Sequence, residues 1–288
     1  MRLALLAVLS LAAVPVWADC APETDALGAE IARAWEARET ISSPAVADAE
    51  AALCIRGALN TALDATAGPA AGWKVGLTSE AAQEQFGVTE PVVGQLHEAM
   101  LLEEGGTIPR DFGGRPLVEA DAIVVVKDAA IMEATTVAEV LGALESFVPF
   151  VELADLMVAP GEKLDADIIT AINVGARSGV TGTPIPIEDP AAWEIALASM
   201  IVRLEDAEGE LIGEFPGAAI LGNPINAVLY LTDHLAAVGE TLAPGDRISL
   251  GGFGPPMPVG DLTGVKVSYI GLPGDTIPAA TVTFEPAE

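Results

Sequence analysis

Hydrophobic and polar positions change their rhythm twice along the chain. Leu3 to Val16 is an apolar run, interrupted by Ser10, behind a short basic start, Met1-Arg2. From Thr24 to about Ile41, and from about Ala45 to Ala65, apolar residues are spaced among Ala, Glu and Arg, which predicts two helices. Ser43-Pro44 is a start signal for the second, with proline at a first helical position. After Gly68-Pro69 the chain turns to short apolar runs cut by Gly and Pro. Gly72 to Leu77 reads as a short strand or turn and Glu80 to Phe86 as a brief helix. Leu117 to Val126 reads as a strand rich in β-branched residues. Thr136-Val-Ala-Glu139 is a capping box that predicts a helix to about Phe147, feeding an apolar strand from Pro149 to Met157. Ile195–Leu204 and Glu210–Phe215 predict a hairpin around Ala207-Glu208-Gly209, and Asn223-Pro224 opens a helix that stops at Gly239. Arg247–Leu250, Val265–Tyr269 and Ala279–Phe284 complete the strands. This order predicts an α+β protein with one curved, mostly β core and helices added around it.

The first apolar run is too short to favour a membrane span and ends in Val16-Trp17-Ala18, a small-residue cleavage pattern. Residues 1–18 therefore read as a signal peptide and predict export to a periplasm-like compartment. Its removal leaves 270 residues, enough for one large domain: a helical segment at 19–68 and a β-rich domain at 69–288. The segment's one charge is Arg2, so cleavage takes the net charge from −29 to −30. So acidic a surface disfavours nucleic acid and anionic membranes as partners. With two cysteines, an oxidising compartment leaves two readings: a disulfide tying Cys20 to the helix that carries Cys54, or two unpaired thiols.

Candidate chemistry begins with Glu119-Ala-Asp121, an acidic pair inside the apolar strand. Positions i and i+2 of a strand share a face roughly 6.6–6.8 Å apart, so both carboxylates point one way. Half-buried, they need a cation, raised pKa values or solvent. Glu152, in the apolar strand that follows, is the natural third ligand, and three carboxylates suit Mg²⁺ or Mn²⁺. The spacing alone favours a solvated strand face over a metal site. Lys74, one of four lysines, sits between glycines and apolar residues. It can orient a substrate carboxylate, act as an acid/base with a lowered pKa, or simply pair with a carboxylate. Of the two histidines, His234 reads as a surface or helix-end residue, and His97 borders a pocket or is structural. No nucleophile elbow, P-loop or dinucleotide fingerprint is present.

Taken together, Gly72-Trp-Lys-Val-Gly-Leu-Thr-Ser79, Gln85-Phe-Gly-Val88 with Glu90-Pro91, and Val118-Glu-Ala-Asp121 resemble the 2-keto-4-pentenoate hydratases and 4-oxalocrotonate decarboxylases of the fumarylacetoacetate hydrolase superfamily. The likeness continues through Val148-Pro149 with Glu152, Asn173 to Gly182, Leu221 to Ala227, Pro244-Gly-Asp246 and Gly251 to Pro255. The resemblance implies a mixed β-sandwich roll, a homo-oligomer, and Mg²⁺ or Mn²⁺ held by Glu119, Asp121 and Glu152 with Lys74 as the active-site lysine. It implies a hydratase acting on a small 2-keto or 2-hydroxydienoic acid such as 2-keto-4-pentenoate. A decarboxylase, a C–C hydrolase or a catalytically inactive small-acid-binding protein are the alternatives. The chain departs from the family pattern at Asp121, where Glu is usual, and at Thr89, where an acid is usual. It departs again at Asn223, where His is usual, and at Leu250, where Thr is usual.

Overall fold

The computed structural model describes residues 20–286, so the expected signal peptide lies outside the described residues. Helices α1 (Pro22–Ala37) and α2 (Ala49–Leu63) come first. The second begins later than Ser43-Pro44 suggests. Ile41 is held in extended pairing with the segment around Val158, and Asp48 is the cap, its side chain accepting from the Ala51 N–H. Backbone pairing has outbid the proline signal there.

The chain continues through β1 (Ala70–Gly76), α3 (Glu80–Phe86), β2 (Val92–His97), β3 (Leu101–Glu103), β4 (Thr107–Ile108) and β5 (Pro116–Val126). Next come α4 (Val137–Gly142), β6 (Leu144–Asp155), α5 (Ala166–Ala171), β7 (Ser178–Thr181), β8 (Ile185–Pro186) and α6 (Pro190–Ser199). It ends with β9 (Ile201–Asp206), β10 (Leu211–Pro216), α7 (Asn226–Val238), β11 (Arg247–Ser249), β12 (Met257–Pro258), β13 (Gly264–Ile270) and β14 (Ala279–Phe284). Three expectations are corrected. The capping box does open α4, with Thr136 accepting from Glu139 N–H, but the helix stops at Gly142 because the apolar run from Leu144 joins the sheet. Ile195–Ser199 is helix, not strand: Asp189 caps it and Pro190 takes its first position. Asn223 does not cap α7, which starts at Asn226; its Oδ1 accepts from Ile225 N–H one turn earlier.

The strands form two sheets. One runs β2-β1-β11-β5-β6-β7-β3, with β12 on β5 and β8 on β6; the other runs β10-β9-β13-β14-β4. The long antiparallel pair β5–β6 sets the register of the first sheet, placing Glu119 opposite Glu152 and Asp121 opposite Phe150. Alternation sends Val118, Ala120, Ala122 and Val124 into the main core, where Val202, Val267, Tyr269 and Val282 of the second sheet meet them. Glu119 and Asp121 are thereby turned to the other face. Tyr269 reaches through from the second sheet: its hydroxyl donates to the Asp121 carbonyl and accepts from Phe150 N–H at 3.1 Å, clipping β5 to β6 beside the acids.

A separate core joins the N-terminal helices to the β-rich part, through Ile31, Ile55 and Leu59 against Leu96, Ile168 and Ile172. Cys20 and Cys54 form a disulfide across 34 residues, fixing the start of α1 to α2. Loop-closure entropy assigns such a crosslink about 3–4 kcal/mol. Reduction or Cys54→Ser is expected to lower the melting temperature accordingly, and a scan with and without reductant that shows no shift would refute it.

Candidate functional site

Four strands deliver the candidate residues to one face. Lys74 on β1 pairs with Ser249 on β11, which pairs with Ile123 on β5; Asp121 and Glu119 follow on that face at two-residue steps. Glu152 completes the group from β6. Lys74, Asp121 and Glu152 are buried and Glu119 half-buried. The Lys74 Nζ donates to Glu152 Oε1 in a buried ion pair and to the Val174 carbonyl at 2.9 Å. Asp121 is held differently. Its Oδ1 accepts from the N–H groups of Ala122 at 2.6 Å and Gly251 at 2.9 Å, and its Oδ2 accepts from the Ser249 hydroxyl. The strand exit at Gly252 closes the group, for a Cβ there would overlap Glu119 Oε2.

One cation among three acids leaves the cluster short of positive charge, and burial sharpens the deficit. Desolvation, with Glu152 opposite, pushes Glu119 up to about 7. The same two causes, in that order, hold Asp121 well above the usual carboxylate range despite the Ser249 and Ala122 hydrogen bonds. For Lys74 burial acts downward, yet the attraction of Glu152 and Glu119 prevails and raises it. The lowered-pKa lysine expected as one option is therefore not what the structure contains. Lys74 is a fixed ammonium.

A divalent cation is the other way to neutralise this charge. Glu152 Oε2 is buried with no hydrogen-bond partner, an orphan oxygen beside Glu119. A carboxylate offers about four lone-pair sites, and Asp121 spends three of them. Among the described residues no group of three His, Cys, Asp or Glu side chains stands ready as a metal cage. The oxygen donors nevertheless fit Mg²⁺ or Mn²⁺, with Glu119 and Glu152 free to ligate and Asp121 through its last lone pair.

These shifts make a pH prediction. Glu119 has a folded pKa near 7 against 4.5 unfolded, so its protonation stabilises the fold below 4.5 and that contribution is lost as pH rises through 7. In chelator, Glu119 is expected to contribute about 0.8 kcal/mol of added stability as pH falls from 8 to 6.5, and Asp121, raised by the same causes, adds in the same direction. His234, lowered to about 4 by burial and then by Arg56, works against this as pH nears its unfolded value of 6.5 and takes back about half of the Glu119 contribution there. Chelated melting curves that fall or stay level over that window would contradict the assignment.

The remaining sequence candidates lie elsewhere. His97 is fully buried between the Gly68 carbonyl and Asn60 and is structural. His234 is half-buried rather than superficial, stacked on Tyr230 at 6.1 Å with its Nε2 unpartnered. Leu250 packs into the main core, on the face away from the acids, so a hydroxyl there would not reach the site. Thr89 is exposed, and Asn223 also donates to the Glu194 carbonyl. Of the departures from the family pattern, Thr89, Asn223 and Leu250 therefore fall on positions that do not touch the cluster, and Asp121 alone lies within it. Sequence reasoning missed Ser249, Val174 and Tyr269. A lone hydroxyl, a carbonyl and a core aromatic carry no signal until the register is known.

Two β-sheets packed face to face, with a buried lysine and three acids on strands of one of them, define a member of the fumarylacetoacetate hydrolase superfamily. A 2-keto-4-pentenoate hydratase of Paraburkholderia xenovorans is 33% identical over 203 residues, spanning 69% of this chain and 73% of that one. A 4-oxalocrotonate decarboxylase of Pseudomonas putida is 30% identical over 202 residues, 70% of this chain and 74% of its own. The chain thus belongs to the 2-keto-4-pentenoate hydratase/4-oxalocrotonate decarboxylase family. Among solved structures, the 4-oxalocrotonate decarboxylase from P. putida G7 complexed with magnesium and adipate superposes with a TM-score of 0.78. It is 26% identical, and the match covers 91% of this chain and 97% of that one. No family model matches the chain. No helix among the described residues is long and apolar enough to cross a membrane.

Proposed function

We propose that the protein is a metal-dependent hydro-lyase acting on a small 2-keto or 2-hydroxydienoic acid such as 2-keto-4-pentenoate. The observation that carries this reading is the buried Lys74–Glu152 pair set against Glu119 and Asp121, with one Glu152 oxygen left unpartnered, in a chain of the hydratase family. Glu119, Glu152 and Asp121 would hold Mg²⁺ or Mn²⁺. When bound, such a cation supplies a Lewis acid that stabilises negative charge on the keto oxygen.

The protein's own groups handle binding and protons. Lys74, kept charged by its carboxylate neighbours, offers an ammonium to the substrate carboxylate and fixes the acid's orientation. Hydration of a 2-hydroxydienoic acid moves four protons: the 2-hydroxyl loses one and the terminal carbon gains one, which leaves a conjugated keto acid; water then loses one as its oxygen bonds to C4, and C3 takes one up. Glu119, near 7 in the metal-free cluster, would give up its proton as the cation binds, so it serves the reaction as a ligand. Burial of these side chains would keep bulk water from the reacting carbons.

The test is product analysis with 2-hydroxypenta-2,4-dienoate and Mg²⁺ or Mn²⁺. A 4-hydroxy-2-keto acid formed only with metal supports the hydratase reading. Carbon dioxide released from a dicarboxylic 2-keto acid, without hydration, would replace it by the decarboxylase reading that the superposed decarboxylase favours.

Export to the periplasm belongs to the same proposal. It is supported by the signal-peptide pattern of residues 1–18 and by the Cys20–Cys54 crosslink. A purified protein whose first residue is Asp19, recovered from the periplasmic fraction, is the expected result. A homo-oligomer is also proposed; apolar Ile195 and Leu211, 72% and 57% exposed, support it, and sedimentation measures it.

A further inference from the structure

The carbonyl that receives Lys74 sits in a backbone conformation that side-chain-bearing residues rarely adopt. Asn173, Val174 and Gly175 have φ of 57°, 55° and 65°, three left-handed residues in succession. For β-branched Val174 this is a true outlier, and such strain persists only where the surroundings over-determine it. The surroundings do. A Cβ on Gly94 would stand 2.7 Å from the Asn173 carbonyl oxygen, so β2 presses bare backbone against the turn.

The Asn173 side chain is fastened to that strand from both ends. Its Oδ1 accepts from Gln95 N–H at 2.7 Å and its Nδ2 donates to the Gln95 carbonyl at 2.8 Å. Because backbone groups cannot exchange roles, these two bonds fix which end of the amide is oxygen. The next residue is then fixed as well. Facing Asn173 Oδ1 at 3.2 Å, the Asn60 amide must present Nδ2, which leaves Asn60 Oδ1 toward His97 Nε2 at 3.3 Å. His97 Nδ1 lies 2.8 Å from the Gly68 carbonyl, so the ring meets an oxygen at each nitrogen and packs beside Asn60 without setting the direction of its amide. A directed line of buried groups runs from α2 to the turn, and the turn's Val174 carbonyl meets Lys74 Nζ. Asn60, Asn173, His97 and Lys74 are each at least nine-tenths buried.

We propose that Asn60, on the N-terminal helix α2, is a positioning residue for Lys74, acting through Asn173 and the left-handed turn that presents the Val174 carbonyl to the ammonium. Its bearing on turnover rests on the hydratase reading; its bearing on the ammonium does not. The helical segment is in this respect part of the site's scaffold. Asn60 touches neither the acids nor Lys74, and without the turn it would have no route to them.

The experiment uses full-length mature protein labelled with ¹⁵N-lysine. A buried ammonium locked by two acceptors gives a slowly exchanging Nζ resonance, identified as Lys74 by its loss in the stability-restored Lys74→Met/Glu152→Gln. Asn60→Asp keeps the shape but turns the Nδ2 donor into an acceptor facing Asn173 Oδ1; Asn60→Ala removes the amide if the first variant folds poorly. Either is expected to shift the Lys74 signal and accelerate its hydrogen exchange about ten-fold or more. Leu59→Ala, a core truncation on the same helix, is expected to lower the melting temperature and leave that signal in place. An unchanged signal in both Asn60 variants, or an equal change in Leu59→Ala, overturns the proposal.

Where the hydratase reading holds, kcat falls about ten- to hundred-fold in Asn60→Asp with KM little changed. If wild-type protein hydrates none of the acids while the Lys74 signal still responds to Asn60, the hydratase reading fails and the positioning stands.

Discussion

Glu119→Gln is expected to abolish Mg²⁺- or Mn²⁺-dependent turnover, by roughly 10³-fold or more, while leaving the fold intact. The substitution keeps the shape of the side chain and removes one anionic oxygen from the metal's donor set. Its effect on stability should carry the opposite sign. Glu119 is desolvated opposite Glu152, and its ionised form is disfavoured up to about pH 7. A neutral amide there relieves repulsion among the acids, so at pH 8 in chelator the variant should melt at or above the wild-type temperature. Lost activity with raised or equal stability is the signature of a residue kept for a ligand rather than for the fold. A variant that turns over normally, or that loses activity only because it unfolds, would remove Glu119 from the site.

Lys74→Met is expected to be inactive and unstable together. Breaking a buried ion pair by removing one partner costs about 3–5 kcal/mol, because the charge left behind has no compensation. Here Glu152 would be stranded beside Glu119 and Asp121. The cost should shrink in acid, where the carboxylates can take up protons, and should largely disappear in the double variant Lys74→Met/Glu152→Gln. Stability restored without activity would separate the ammonium's chemical role from its electrostatic one. Denaturant melts of both variants at pH 8 and pH 5.5 make the comparison.

How far the sequence exposes this arrangement depends on the range of each interaction. Alternation along Leu117–Val126 is local, and it correctly turns Glu119 and Asp121 to one face. The helices at 22–37 and 80–86 likewise follow from local spacing and caps. Local signals failed where a long-range partner claimed the same residues. Ile41 was taken by Val158, and Leu144–Phe147 was drawn from helix into a ladder with β5. At Ile195 an apolar run obscures a local signal, for Asp189 caps the helix and Pro190 opens it.

In the site itself Lys74 and Glu152 are 78 residues apart, and Asn60 and Asn173 are 113 apart. Residue type nominated Lys74 and Glu152. It said nothing of Asn60, because a helix asparagine looks the same whether it faces solvent or holds a strained turn. The acidity assigned to Lys74 also needed the structure. Burial alone argues for a lowered value, and only the placement of the acids reverses it.

The Tyr269 hydroxyl, wedged between Asp121 and Phe150 from the opposite sheet, bears on the order of events in folding. That contact spans 148 residues and forms only when the second sheet closes on the first. Until then β5 and β6 lack the clip that seats Asp121 beside its neighbours, so the early chain offers a cation nothing better than scattered carboxylates. Binding energy that appears after the rate-limiting barrier slows escape from the native state and leaves the approach to it unchanged. Magnesium should therefore lengthen the unfolding limb of the kinetics and leave the refolding rate where it was. The protein's lifetime, more than its speed of assembly, would then follow the supply of metal.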